Sequence, residues 1–183
     1  MPSIARRARL AVLSIALLAA VPIPAHMAAA QGASPVTVRW AGGTFSVRMP
    51  DGWQQVTPED QNTHFEIRSP QAKGNCTVSA RPAEHPRIDL YDRAWFESRA
   101  AAILKQPVVR GYELKRVGAN RGGLGDVVGD IEVAGAPRRF RAQMLFLLDA
   151  GQRYTISCFE EVATYDAVRP AFTRLTESFV FVK

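Results

Sequence analysis

The chain has 183 residues, of which 47% are hydrophobic and 22% charged, and its formal net charge at pH 7 is +6. These proportions are ordinary for a packed globular core, and they exclude a disordered, collagenous or coiled-coil protein. The length accommodates one domain with an appendage, and not two full domains.

Residues 1–30 have the three regions of a secretory signal peptide. A basic front is followed by an uncharged apolar run at 10–21, and the small residues Ala28 and Ala30 mark the expected cleavage site. The apolar run is shorter than the ~20 residues that a bilayer-spanning helix needs. An uncleaved anchor is the alternative. The sequence therefore predicts a periplasmic or secreted protein with no stable membrane anchor after cleavage.

Two further consequences follow from this segment. The pair Arg6-Arg7 raises the twin-arginine export route, but its flanking residues favour ordinary unfolded export. The segment holds three arginines and no acidic residue, so its removal leaves 20 basic and 17 acidic residues and a net charge of +3. Because the remaining basic residues are scattered rather than clustered with aromatics, no nucleic-acid partner is expected.

The mature chain is predicted to begin with a flexible leader at 31–43 and to continue as a domain at 44–183. Alternating polar and apolar residues predict early strands at 44–49, 64–68 and 76–80. A turn at Pro50-Asp51-Gly52 precedes Trp53, which is expected to anchor that turn to the core.

The rest of the chain alternates between helical and strand patterns. Asp89 is the predicted N-cap of a helix that Pro107 ends, and strands are predicted at 112–117, 126–133, 140–148 and 153–159. Asp149 to Gln152 form a tight hairpin. A last helix, with Thr164 or Asp166 as its cap and a kink or a new start at Pro170, precedes a terminal strand at 179–182. Helices set apart from hairpin-linked strands predict an α+β domain around an antiparallel sheet.

Cys76 and Cys158 are the only cysteines of the chain. In an oxidising compartment, two cysteines are most simply one disulfide. Two buried free thiols are the alternative. A redox-active pair is disfavoured because the chain has neither a C-x-x-C motif nor a resolving neighbour.

The sequence offers no catalytic constellation, cofactor motif or metal motif. His64 and His85 are the only histidines left after removal of the signal peptide at 1–30, and no serine lies in a G-x-S-x-G elbow. Two acidic groups, Glu84-His85 with Asp89 and Glu160-Glu161 with Asp166, lack diagnostic metal-ligand spacing. The glycine-rich run 118–125 leads into a strand rather than a helix, which argues against phosphate binding. It is interpreted as a flexible hairpin with Arg121 at its tip.

Two stretches carry a resemblance to a known family. The segment from Phe45 to Trp53, with its Pro50-Asp51-Gly52-Trp53 corner, resembles the opening of the PsbP-like superfamily, which includes DcrB-like bacterial periplasmic proteins. The C-terminal part of the chain is similar to that superfamily too, from Arg153 to Cys158 and then through a helix to Glu177-Ser178-Phe179. This resemblance covers about residues 45–182. It implies an α/β/α sandwich, a role in binding or assisting other proteins, and no shared catalytic residues. The lipid-anchoring cysteine of some bacterial relatives is absent here.

The sequence therefore predicts an exported, non-enzymatic accessory protein that binds an envelope protein or complex through loops and one sheet edge. The candidate binding residues are Trp53, Asn120, Arg121 and Leu124. A small-ligand or metal-binding module, using a pocket beside Trp53 or the acidic residues near Glu160, is the alternative. An exported hydrolase is a third and weaker one.

Overall fold

A seven-stranded antiparallel sheet forms the centre of the fold. The computed structural model describes residues 35–40, 42–70 and 73–183; the predicted signal peptide and residues 31–34 lie outside them. The strands are β1 (Pro35–Trp40), β2 (Gly43–Arg48), β3 (Gln54–Val56), β4 (Thr63–Arg68), β5 (Asn75–Pro82), β6 (Lys105–Val117), β7 (Asn120–Val133), β8 (Ala136–Asp149), β9 (Gln152–Glu161) and β10 (Val180–Phe181). The helices are α1 (Arg93–Ile103) and α2 (Tyr165–Ser178), and a 3₁₀ turn at Ile88–Leu90 precedes α1.

The two sheets differ in size and in the origin of their strands. The large sheet has the order β3-β4-β5-β9-β8-β7-β6, and a small sheet has the order β1-β2-β10. Sequential strands from β6 to β9 are joined by tight hairpins. Strand β5 instead pairs with β9, from which α1 and β6 to β8 separate it in the sequence. The terminal strand β10 closes the small sheet by pairing with β2.

Side chains of β8 show how the layers are arranged. Leu145 and Leu147 belong to the core cluster that contains α2 and the small sheet, while the alternate residues Met144 and Phe146 belong to the cluster that contains Phe96 of α1. Successive strand residues point to opposite faces, so α1 covers one face of the large sheet and α2 with the small sheet covers the other. The predicted α+β sandwich with an antiparallel sheet is confirmed.

The predicted flexible leader at 31–43 is wrong where the structure describes it. Residues Pro35–Trp40 form β1, which pairs antiparallel with β2 from Pro35 opposite Arg48 to Trp40 opposite Gly43. Val36 and Val38 are half-buried and pack against the core. Their alternation with polar residues is the strand signal that the prediction passed over.

The N-terminus of the first helix also differs from the prediction. Asp92, and not Asp89, is the N-cap, because its carboxylate accepts a hydrogen bond from the Trp95 amide at 2.8 Å. Asp89 lies in the preceding 3₁₀ turn. The helix ends at Ile103, and Pro107 lies within β6.

Helix α2 runs continuously through Pro170. The N–H group that proline lacks would have bonded the carbonyl of the solvent-exposed Asp166.

The glycine-rich run 118–125 is not a flexible loop. Only Gly118 and Ala119 lie outside strands, and residues 120–125 belong to β7. A Cβ atom at Gly125 would lie 2.2 Å from the ring of Phe96, and one at Gly122 would lie 2.5 Å from the Phe146 carbonyl oxygen. These glycines therefore permit close packing rather than movement.

Neither helix in the described part of the chain is long and apolar enough to cross a membrane.

Candidate functional site

The four sequence-predicted binding residues do not form one surface. Trp53 is buried, with 8% of its surface exposed, and its ring packs edge-on against Phe172 at 5.9 Å. The Asn120 amide donates a hydrogen bond to the Phe179 carbonyl at 2.7 Å. Leu124 is half-buried and packs against the α2 side of the core. Only Arg121 is exposed.

The turn that presents Arg121 is built by backbone geometry and close packing. Val117 pairs with Asn120, so the β6–β7 loop has only Gly118 and Ala119. Gly118 has φ +57°, as the first central residue of a type II′ hairpin requires. A Cβ atom there would lie 2.0 Å from the carbonyl oxygen of Glu177. The turn is therefore fixed against the C-terminal end of α2.

Two arginines face each other at this end of the hairpin. Arg116 and Arg121 are directly opposite in the register, and both are exposed. Neither has an ion pair within the described residues. The nearby Asp89 is paired with Arg87. The Arg87 hydrogen bond is the largest cause that lowers the pKa of Asp89, followed by a backbone hydrogen bond and by the charges of Arg87 and Arg121. Like charges directly opposite on a sheet are destabilising, so local stability does not explain this pair.

The strand that carries Arg116 is the open edge of the large sheet. Strand β6 ends the sheet and pairs only with β7 within the described residues. Exposed basic residues follow along it, at Lys105, Arg110, Lys115 and Arg116. Of these, Lys105 pairs with Glu132 at 2.8 Å and Lys115 with Glu113 at 2.5 Å. We call the surface of Arg110, Lys115, Arg116 and Arg121 the basic edge.

The residues considered for catalysis have structural contacts. His85 packs edge-on against Tyr91 at 5.3 Å, and its backbone N–H donates a hydrogen bond to the Tyr91 hydroxyl. Partial burial lowers the pKa of His64. Cys76 and Cys158 are bonded to each other as a disulfide, as predicted, so neither is a free thiol.

The first acidic group considered as a metal site has other partners. The Glu84 carboxylate accepts hydrogen bonds from Trp95 Nε1 at 2.9 Å and from Arg99 and Arg153 at 2.7 and 2.8 Å. The Trp95 hydrogen bond is the largest cause that lowers the pKa of Glu84 to about 2, followed by the Arg153 hydrogen bond and the two arginine charges, which together outweigh desolvation. Both guanidinium groups also lie over the Trp95 ring. This cluster anchors the loop after β5 to α1.

The second acidic group is split between the interior and the surface. Glu160 is fully buried, and its Oε1 accepts hydrogen bonds from the Thr164 hydroxyl at 2.7 Å and the Glu161 amide at 2.9 Å. Glu161 pairs with Lys73 and Arg138, and Asp166 is exposed. Within residues 35–40, 42–70 and 73–183, no three His, Cys, Asp or Glu side chains are grouped so that they could hold a metal ion.

Open grooves lie on the α2 side of the part of the chain that the structure describes, and two of them are lined by α2 together with residues from the first part of the domain. One, of about 320 Å³, lies beside Trp53 at the place where the sequence suggested a pocket. A larger one, of about 560 Å³, has mixed charges and is lined by Pro35, Ser46, Arg48, Met49, Pro50, Asp51, Arg174, Glu177, Ser178 and Val180. Sequence reasoning missed the larger groove because its lining comes from β1, β2 and α2, which meet only in the folded domain.

Solved structures, but not sequence comparisons, connect the chain with known proteins. No family model and no curated protein matches it. The cyanobacterial PsbP of Synechocystis is 16% identical, with a TM-score of 0.56 over 82% of this chain and 94% of that one. The Ran-binding protein Mog1p of Saccharomyces cerevisiae is 8% identical, with a TM-score of 0.55 over 82% and 97%.

Two further solved structures are similar to the chain. LpqN of Mycobacterium tuberculosis, described as involved in cell envelope biogenesis, is 13% identical, with a TM-score of 0.51 over 82% of this chain and 90% of that one. The chain spans only 45% of a longer Bacteroides thetaiotaomicron protein that is also similar in structure. The chain thus has the PsbP/Mog1-like fold that the sequence resemblance implied.

Proposed function

We propose that this protein is an exported, non-catalytic binding protein that engages a protein partner of the bacterial envelope through the basic edge. The observation that carries the proposal is the exposed pair Arg116 and Arg121, opposed across two strands without an ion pair in the described residues. A partner with acidic side chains at this position would relieve the repulsion between the two arginines.

Two features of the domain support export and binding. The Cys76–Cys158 disulfide is the kind of bond that persists in oxidising compartments. Proteins with the same fold are described as Ran-binding and as involved in cell envelope biogenesis. Fold similarity alone is an associational argument for function, so the proposal depends mainly on the basic edge.

The proposal is tested by capture from a bacterial envelope extract. The full-length chain, expressed with its own leader and carrying a C-terminal affinity tag, is compared with the double variant Arg116→Glu/Arg121→Glu. Both side chains are exposed, so the variant should fold. We expect wild type to retain a specific protein that the double variant loses, with loss of binding at high salt because exposed charges are screened.

Arg169→Glu is the matched control. Arg169 is exposed on α2 and lies outside the basic edge, so this variant should retain the partner. Equal capture by all three proteins, or no specific capture by wild type, contradicts the proposal.

A small-ligand function remains the second candidate, because a groove does lie beside Trp53. Its lining includes Val168, Pro170 and Ala171, which suits an apolar ligand. Titration calorimetry with a medium-chain fatty acid tests it. Saturable binding that is lost in Ala167→Glu, a change at an exposed residue of the groove lining, supports this function, and absence of heat contradicts it.

A further inference from the structure

The edge strand β6 is protected along its first half and open along its second. Register shifts between Lys105 and Val108, and again between Val109 and Gly111, interrupt the pairing of the first half with β7. Within the same half, the Arg93 side chain of α1 donates a hydrogen bond to the Val109 carbonyl at 3.2 Å. Bulges and covering side chains are the usual devices that prevent an edge from pairing with another chain.

Within the part of the chain that the structure describes, the second half has neither of these devices. Residues 111–117 pair with β7 in one continuous register, from Gly111 opposite Asp126 to Val117 opposite Asn120. In an antiparallel ladder only alternate residues bond to the neighbouring strand. Every second N–H and C=O of residues 111–117 is therefore directed away from β7, at the outer edge of the sheet. The other strands at sheet edges are shorter: six residues in β1, three in β3 and two in β10.

Along residues 110–121 the charge is strongly one-sided, and Asp89 and Asp126, which lie close by, are already paired with Arg87 and Arg141. Arg110, Lys115, Arg116 and Arg121 are basic, and Glu113 is the one acidic residue between 110 and 121. Glu113 is already paired with Lys115. An added strand would place its own side chains next to those of β6 on both faces of the sheet. An acidic strand would therefore meet Arg116, with Arg121 beside it, on one face of the sheet, whereas a basic strand would be repelled there. On the other face Lys115 is already neutralised by Glu113.

We infer that residues 111–117 of β6 accept an extended acidic segment of the partner as an additional strand of the large sheet. This inference rests on the proposed function and names the chemistry of its partner. Backbone hydrogen bonds to the outward N–H and C=O groups supply part of the affinity, and the basic edge selects the sign of the added strand's charge.

The test uses the full-length chain and a defined peptide. A fluorescent peptide of about ten residues that alternates glutamate and valine is the probe, since this is a typical strand length, and an otherwise identical lysine–valine peptide is its control. Anisotropy at low salt should show saturable binding of the acidic peptide alone. Arg116→Glu/Arg121→Glu should weaken that binding about tenfold or more, and Arg169→Glu should leave it unchanged.

Hydrogen exchange separates strand addition from simple charge attraction. If the peptide adds as a strand, alternate amides of residues 111–117 become protected when it binds, because their N–H groups gain acceptors. Binding without added protection there overturns the inference, as does equal binding of both peptides or binding of neither.

Two outcomes would overturn strand addition without deciding against the proposed function. If neither peptide binds but envelope capture still depends on Arg116 and Arg121, the proposed function stands and strand addition is overturned. If the charges serve only to prevent self-pairing, Arg116→Ala/Arg121→Ala should dimerise in sedimentation experiments while the acidic peptide leaves wild type unbound, which also overturns the inference.

Discussion

Glycines in β7 set how closely α1 approaches the central sheet. The ring of Phe96 occupies the space into which a Cβ atom at Gly125 would project, and Phe96 itself is fully buried and stacked on Tyr112 at 5.2 Å. Interiors packed at this density have little room for an added methyl group. The glycine is therefore a packing residue, although its sequence context is that of a loop.

Gly125→Ala should destabilise the protein by about 1–3 kcal/mol, because Phe96 must move to admit the new methyl group. Urea unfolding followed by tryptophan fluorescence measures the difference. Gly111→Ala is the matched control, since a Cβ atom there meets no heavy atom within 4 Å. Equal stability of the Gly125→Ala variant and wild type would contradict the packing role.

The ionisation of Glu84 is tied to folding through its hydrogen bonds and neighbouring charges. Hydrogen bonds from Trp95 and Arg153, with the charges of Arg153 and Arg99, hold its pKa at about 2, against 4.5 for an ordinary glutamate. Because the folded-state pKa is the lower one, the carboxylate contributes its full stabilisation above pH 4.5 and loses it as the pH falls toward 2. Its side chain is 37% exposed, so solvent screens part of this effect.

Glu84→Gln should therefore be less stable than wild type near pH 6, and the difference should shrink steadily between pH 4.5 and about 2. Glutamine keeps an acceptor for Trp95 but removes the charge. Urea unfolding at a series of pH values measures the difference, with Glu59→Gln, an exposed site, as the control for loss of one charge. A stability difference that stays constant down to pH 2 would refute this account.

At the scale of elements, a single covalent bond joins two neighbouring strands that are distant in sequence. Cys76 of β5 lies directly opposite Cys158 of β9, both are fully buried, and 82 positions separate them. The pairing of β5 with β9 is the step that connects the early strands to the hairpins β6 to β9. On the chain-entropy account, a disulfide stabilises the folded state most when it closes a loop as long as this one, because it then removes the most entropy from the unfolded chain.

Reduction of this disulfide should lower the free energy of unfolding by about 4 kcal/mol. The measurement is urea unfolding of wild type with and without a phosphine reductant. Cys76→Ala/Cys158→Ala, which cannot form the bond, should not respond to the reductant. An unchanged wild-type curve together with two alkylatable thiols in the native protein would show that the bond is absent.

At the scale of the whole molecule, the signal peptide predicted at 1–30 is expected to be cleaved from the rest of the chain during export. Wild type produced in a Gram-negative host should be recovered from the periplasm with Gln31 as its first residue and both cysteines oxidised. Intact mass spectrometry measures both properties. Recovery of a chain that starts at Met1, with two free thiols, would refute export.

The export route is tested in the same experiment. Arg6→Lys/Arg7→Lys blocks the twin-arginine route without changing the charge of the leader. We expect export to persist in this variant, because the flanking residues favour the unfolded route. Complete retention in the cytoplasm would instead identify twin-arginine export.

The features that could be predicted from the amino-acid sequence are local ones. Residue patterns located six of the strands to within four residues, namely β2, β4, β5, β8, β9 and β10, whereas β6 and β7 begin at Lys105 and Asn120, well before their predicted starts. The Ala150-Gly151 hairpin followed from turn chemistry, with φ values of 48° and 74°. Helix α2 and the bonding of Cys76 to Cys158 also followed from spacing and residue type. These features depend on neighbouring residues or on the number of cysteines, and both can be read directly from the sequence.

Features that depend on contacts between residues distant in the chain could not be predicted from the sequence. Gly118 and Gly125 lie in a glycine-rich run that is typical of a loop. They are packing residues only because the fold brings Gly118 close to Glu177 and Gly125 close to Phe96. The opposition of Arg116 and Arg121 arises because the hairpin turn is two residues long. The open half of β6 exists because that strand comes last in the sheet order. Strand order and layer contacts are set by long-range packing, and one-dimensional patterns do not encode which edge is left uncovered.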